Sequence, residues 1–319
     1  MANHPGRDHR QITITKHYNF TDYATQAYMA LVALIVLVCH GGRLASWPWL
    51  LLAHGVGLLL VHVLIGLSVR YPTNRLLDFC RQLYPIPLYV GFYSEAGFLN
   101  QIFRSGYWDP HFMKAEHWIF GMQPGLELML RFPSRWVAEV LYATYFSYYL
   151  TIVGMGLALL LRNRREFAHF IAVVSLVFYV CYTIYIFTPV IGPRIVDLRL
   201  ADAVLPRESM PETNLDPPAT VQSAIFYQVM NWIYDHFETP GAAFPSSHVA
   251  VALCTLYFSF IYLRPVRWIH LIVVVVLCVS TVYGRYHYVM DVVAGILAAA
   301  MLIPLANRLY FKFENAGRP

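Results

Sequence analysis

Long apolar runs, each closed by a short polar or basic turn, recur along the whole chain. They fall near residues 24–40, 47–69, 136–161, 168–189, 246–263, 268–284 and 287–308. Runs of this kind approach or exceed the roughly 20 residues a helix needs to cross a bilayer. Tyr and Trp gather at their ends, which fits an interfacial aromatic belt better than a set of buried soluble helices. An all-α, polytopic membrane helical bundle is therefore predicted. A further stretch near 83–103 carries Pro85, Pro87, Ser94, Glu95, Asn100 and Gln101, the pattern of a broken or re-entrant helix.

Charge placement bears on the number of spans. Arg162, Arg164 and Arg165 share one turn, Arg264 and Arg267 another, and Arg308, Lys312 and Arg318 follow the last run. The positive-inside rule puts all three groups in the cytoplasm. If 83–103 is counted, the basic N-terminus (Arg7, Arg10, Lys16) and the Arg70, Arg75, Arg81 loop fall inside as well. Without it the basic N-terminus would lie outside. About eight spans with both termini cytoplasmic are therefore expected, with segment 190–244 and the turn at His287 extracytoplasmic or lumenal. The first apolar run has no convincing small-x-small cleavage pattern after it and reads as a transmembrane helix rather than a signal peptide.

Composition agrees: 58% of residues are hydrophobic and 13% charged, beyond the usual globular range. The net charge of +5 is assigned to cytoplasmic loops, so no nucleic-acid partner is expected. Cys39, Cys181, Cys254 and Cys278 lie in apolar runs and Cys80 beside one, without paired spacing, and read as small hydrophobes. His54 and His62, inside the second run, read as helix-packing polar groups, with a proton path as the alternative.

Two loops carry structure of their own. Between Thr220 and Phe237, the residues Val221, Ala224, Ile225, Val229, Trp232 and Ile233 form a helical stripe, predicting an amphipathic helix at the interface. Residues 105–135 mix aromatics with charges and predict short interfacial helices, with Asp109, Glu116 and His117 as solvated loop groups. The run Tyr142 to Tyr149 predicts packing and interface anchoring, or the lining of a lipid-entry groove.

The chemistry concentrates in two segments that flank a down-and-up helix pair. One ends in Phe244-Pro245-Ser246-Ser247-His248; the other runs Gly284-Arg285-Tyr286-His287-Tyr288-Val289-Met290-Asp291. The pair returns both histidines to one membrane face, where polar groups are costly and mark function. His287 and Asp291 are four apart and share a helix face, so the carboxylate can fix the imidazole tautomer and raise the basicity of the other nitrogen. His287 is thus a candidate nucleophile toward phosphorus. Ser246 and Ser247 open a helix whose N-terminus suits a phosphate, and His248 can serve as acid and base. Arg194, in Ile191-Gly192-Pro193-Arg194, and Arg285 are candidate clamps for phosphoryl oxygens. The two histidines and the aspartate could also hold zinc, but the Ser-rich turn and the arginines suit an anion better.

These residues resemble the type-2 phosphatidic acid phosphatase superfamily. Its three motifs are Lys, six residues, Arg-Pro; Pro-Ser-Gly-His; and Ser-Arg, five residues, His, three residues, Asp. The second corresponds to Pro245-Ser246-Ser247-His248, with Ser247 in place of Gly, and the end of the third to His287 and Asp291, followed by Val292-Val293-Ala294-Gly295. The resemblance covers about residues 136–308. It implies a six-helix phosphatase-type core, with His287 as nucleophile and His248 as acid/base. The chain departs at Thr281, where the third motif has Arg. It departs again around Arg194, which is followed by Ile195 and has no Lys seven positions before it. Phe-Pro-Ser-x-His followed by His-Tyr-x-x-Asp is more similar to the branch containing fungal inositol phosphorylceramide synthase, with Asp109 and Phe120-Gly121-x-x-Pro124 fitting loosely.

The resulting expectation is three segments: 1–135, N-terminal spans and interfacial helices; 136–310, a catalytic transmembrane core with the extracytoplasmic loop 190–244; and 311–319, a cytoplasmic tail. The expected activity is a metal-independent lipid phosphotransferase that works through a phosphohistidine, with no cofactor. It would act on a phospholipid or lipid phosphate and pass the phosphoryl or phospho-head-group to a lipid alcohol. Hydrolysis by a lipid phosphate phosphatase is the alternative. A membrane transporter is the alternative of another class, but no repeat is visible in the sequence.

Overall fold

The computed structural model describes residues 17–42, 44–195 and 216–316. The basic N-terminal residues Arg7, Arg10 and Lys16, the loop stretch 196–215 and Arg318 lie outside the described residues. The chain is helical almost throughout. First come α1 (Phe20–Cys39), α2 (Trp47–Arg70), α3 (Arg75–Leu83) and α4 (Pro85–Leu99). Two short helices follow, α5 (Asp109–Phe120) and α6 (Pro124–Arg131), then the long pair α7 (Arg135–Arg162) and α8 (Arg164–Phe187). The long loop holds α9 (Ala219–Gln222) and α10 (Ile225–Phe237). The chain closes with α11 (Ser247–Ile261), a 3-10 turn (Arg264–Val266), α12 (Arg267–Tyr283) and α13 (Val289–Ala316).

Among the described residues, six helical segments are long and apolar enough to cross a membrane: α1, α2, α7, α8, α12 with its preceding 3-10 turn, and α13. The protein is an all-α polytopic membrane bundle. α8 is its centre. Of its most apolar window 72% is buried, against 17% for α2 at the lipid-facing edge. α8 packs against α1, α4, α7, α11 and α13.

Two of the expected spans are shorter than the apolar pattern suggested. α11 has 15 residues, about 22 Å of helix, and ends at Ile261 ahead of the Arg264-Pro265 turn. The stretch 83–103 becomes α4, also 15 residues. Its Tyr84 end bonds Asp22 at the start of α1, while Asn100 at its other end bonds the Pro240 carbonyl in the loop before α11. α4 therefore connects the two ends of the bundle. Phe20 and Phe313 meet with ring centroids 5.7 Å apart, so α1 starts where α13 finishes. Arg162, Arg164 and Arg267 lie at that same end, opposite the loops that carry the histidines.

Polar residues within the spans join helices. His54 contacts Glu95 of α4 at 2.7 Å, and His62 contacts the Tyr18 hydroxyl at 2.8 Å. α10 differs from its predicted stripe. Ile225 and Trp232 are exposed, while Met230 and Tyr234 are buried against α7. The helix is interrupted at Ser223 and Ala224, and Glu139 of α7 accepts the N–H groups of Ile225 and Phe226. This restart rotates the buried face.

The start of α1 shows how the basic end is held. Asn19 and Asp22 form a reciprocal capping box. Asp22 is fully buried and also accepts from Arg81 at 2.7 Å and from Tyr84 at 2.9 Å. Removing one partner of a buried pair strands the other charge. Arg81→Ala is expected to destabilise the protein by roughly 3–5 kcal/mol, read as a lowered melting temperature in detergent, and Asp22→Asn in that background should recover part of the loss.

Candidate active site

The site is built where the starts of α11 and α13 meet the end of α8. After α8, Pro189 to Gly192 runs beside Gly241 to Ala243, with Ala243 N–H donating to the Val190 carbonyl at 2.9 Å. The chain then enters α11 through a cis Phe244–Pro245 bond. Ser246 is the N-cap, and its hydroxyl oxygen accepts the Val249 N–H at 3.3 Å. The buried Tyr185 hydroxyl donates to the Pro245 carbonyl at 3.1 Å and accepts the Ser247 N–H at 3.2 Å.

The turn between α12 and α13 carries the second histidine. The Thr281 carbonyl accepts the N–H groups of both Tyr286 and His287, at 3.0 and 3.2 Å. Thr281, where the third motif has Arg, thus contributes a backbone anchor. Arg285 takes a left-handed backbone at φ 66° and is buried, with its guanidinium donating to the Leu126 carbonyl of α6 at 3.3 Å.

These loops bring the histidines together. His287 Nε2 lies 3.5 Å from His248 Nδ1, and His287 Nδ1 lies 3.4 Å from Asp291 Oδ2. Asp291 Oδ2 also accepts the Tyr288 N–H at 2.8 Å. His287 and Asp291 are buried, at 3% and 0% exposure, so the imidazole is sheltered from water. His248 is half-buried beneath the tyrosines of α7, with the Tyr148 and Tyr145 rings 4.6 and 5.3 Å from its own. Ser246 and Ser247 are buried beside them.

The two arginines stand apart in their bonding. Arg194 lies over the Tyr234 and Tyr286 rings, at 5.3 and 5.9 Å, and donates to Asn231, Asp235 and Glu238. It thereby latches α10 to the site loop. Arg285, two residues before His287 in sequence, reaches toward α6.

Two residues expected to be solvated are part of this structure. Asp109 and Glu116 are both fully buried. Asp109 accepts the N–H groups of Ile191 and Gly192, at 2.9 and 3.0 Å, and the Tyr288 hydroxyl at 3.1 Å. Burial pushes its carboxyl above the usual range, while those hydrogen bonds oppose the shift. Glu116 accepts the Val289 N–H at the start of α13. The sequence signal was available: Asp109, Phe112, Met113 and Glu116 lie at i, i+3, i+4 and i+7, one helical face with a carboxylate at each end. Among the described residues, no group of three or more His, Cys, Asp or Glu is arranged to hold a metal ion.

Such a bundle, with paired histidines at one end and a carboxylate behind one of them, defines a class of membrane enzyme. A family model described as the PAP2 superfamily matches residues 111–305, more than half of the chain, and the chain belongs to that superfamily. Membership supports a lipid phosphatase-type function. No curated protein and no solved structure matches the chain.

Glycine at 295 lets α13 approach α11. A Cβ there would stand 2.6 Å from the Ser246 carbonyl oxygen. Gly295→Ala is expected to cost roughly 1–3 kcal/mol and to lower turnover by displacing Ser246. Gly154→Ala on α7, where a Cβ meets nothing within 4 Å, should lower neither. Paired melts and rates in detergent distinguish the two.

Proposed function

We propose that the protein is an integral membrane lipid phosphotransferase acting through a phosphohistidine. The observation that carries this reading is the His248–His287–Asp291 geometry, with one imidazole between a second imidazole and a buried carboxylate. His287 Nε2 attacks phosphorus while Asp291 orients the ring through Nδ1. The P–N bond forms and the P–O bond to the lipid alcohol breaks, with His248 donating the proton to the leaving oxygen. In the second half, His248 removes the proton of the acceptor alcohol, whose oxygen attacks phosphorus and displaces His287. The histidine nitrogens are 3.5 Å apart. A phosphorus in attacking range of one, with its leaving oxygen in hydrogen-bond range of the other, needs more room, so substrate entry must part the rings.

The Ser246 and Ser247 side chains would seat the phosphoryl oxygens, with Arg194 and Arg285 as cationic clamps. Arg194 reaches the phosphate by leaving Asp235 and Glu238. Several features favour an alcohol over water as acceptor: the departures at Thr281 and Ile195, the absent lysine, and the cover of α10, whose aromatic contacts shield the site. They also favour the branch resembling inositol phosphorylceramide synthase. The basic turns at the opposite end support an extracytoplasmic or lumenal site.

A lipid phosphate phosphatase has the same first half-reaction, so the test must separate the acceptors. Wild type and His287→Ala would be incubated in EDTA with phosphatidic acid, phosphatidylinositol and an isoprenoid phosphate, with and without ceramide or diacylglycerol. The proposal expects a new phospholipid only when an acceptor is present, and none from His287→Ala. Inorganic phosphate released by wild type without acceptor makes the protein a phosphatase. Turnover by His287→Ala overturns the phosphohistidine.

A further inference from the structure

α13 has no short polar side chain at the position before it, because Tyr288 stands there. Its first N–H groups are satisfied from outside. Glu116 of α5, 173 positions earlier, accepts from Val289 through Oε1 and also faces the N–H of Met290. Asp291, at the third position of the helix, accepts from the Tyr288 N–H. The two carboxylates do together what a capping box does within one segment. They also place negative charge at the positive end of the helix.

We infer that Glu116 is a positioning residue for the nucleophile: from α5 it fixes the start of α13 and, with it, the Asp291 carboxylate behind His287. The inference rests on the phosphohistidine reading. Glu116 touches neither substrate nor His287 and exchanges no proton with either.

More than a structural cap is involved. Glu116 Oε2 and Asp291 Oδ1 are both buried and make no hydrogen bond among the described residues. The two carboxylates act on one another, and neighbouring acids do not readily share full charge. Burial pushes the Glu116 carboxyl up to about 7, the Val289 and Met290 N–H groups oppose this, and the Asp291 charge adds to it. The titratable groups facing it from the start of α13 and the turn before it are Asp291 and Tyr288. Gln123, Gly125 and Leu126 of α6 and Pro193 of the site loop, which line the same small cleft, are uncharged. On its own helix the other buried acid is Asp109, two turns away.

The sign follows from the charge. Below about pH 7 Glu116 is protonated and caps α13 as a neutral acceptor. Above it the carboxylate caps more strongly, and its charge stabilises the positive charge that His287 gains on phosphorylation. Turnover in the wild type should therefore rise through this range.

The test compares wild type, Glu116→Gln, Glu116→Ala and His287→Ala, purified in detergent, on the same lipid panel from pH 5.5 to 8.5. Glu116→Gln keeps an acceptor oxygen for Val289. It should stay within several-fold of the wild-type rate at the low end and lose the rise. Glu116→Ala should lose about 100-fold in kcat at every pH, with KM little changed. A wild-type rate in Glu116→Ala, or a wild-type pH rise in Glu116→Gln, overturns the inference even if Glu116→Ala proves unstable. Turnover in His287→Ala, or none in the wild type, overturns the functional reading instead and takes this inference with it.

Discussion

A single backbone hydrogen bond joins the two halves of the site. The Ser246 N–H donates to the Asp291 carbonyl at 3.0 Å, tying the entry of α11 to the first turn of α13. Each side brings its own histidine, and neither helix could place both. The bond requires the two backbones to approach closely, which only glycine at position 295 allows, because any side chain there would strike the Ser246 carbonyl. His248, His287 and Asp291 sit at fixed spacings from this crossing, so their distances follow from it. Gly192 does the same for the loop after α8: its φ of 92° and the nearby Tyr286 carbonyl both favour a residue without a Cβ.

The site face meets a general problem of apolar chains. Helix starts need acceptors for their free N–H groups, and a sequence dominated by aliphatic and aromatic residues has few Ser, Asp or Asn to place there. α11 has its own cap in Ser246, but the other acceptors come from other helices. Glu139 of α7 caps α10, Asp109 of α5 holds the loop after α8, and Glu116 of α5 caps α13. Each carboxylate satisfies donors that lipid could not, and each joins elements distant in sequence. Secondary structure and tertiary structure thus depend on the same few acids. The basic end is built more locally, with Asn19, Asn74 and Asn163 capping α1, α3 and α8 from their own N-cap positions.

This difference explains what could be read from the sequence. Six of the eight expected spans, the single face of the two histidines and the pairing of His287 with Asp291 depend on local periodicity and on short motifs, and they were legible. Glu116 and Asp109 looked like solvated groups because their partners lie in loops 82 to 179 residues away, which local pattern cannot reveal. Their position on the apolar face of α5 was the available clue. Glu139 resets the helix at Ile225, so the stripe projected from Val221 runs across a break. Arg194 was recognisable as a cation near the site, but its engagement with Asp235 and Glu238 depends on how α10 folds back over the Tyr286 ring.

That engagement bears on how the site opens. α10 rests on α7 through Tyr145 and Tyr234, lies against the Tyr286 ring and is latched by Arg194. On the proposed reading, a phosphate dianion arriving near the histidines would compete with Asp235 and Glu238 for that guanidinium. Asp235 is half exposed, and its bond is weakened by solvent, whereas Glu238 is more sheltered. Freeing Arg194 costs two charge-assisted hydrogen bonds, and the arriving phosphate can replace both bidentately. Under that reading, the two ion pairs that hold α10 in place would give way to a lipid phosphate and to no neutral lipid.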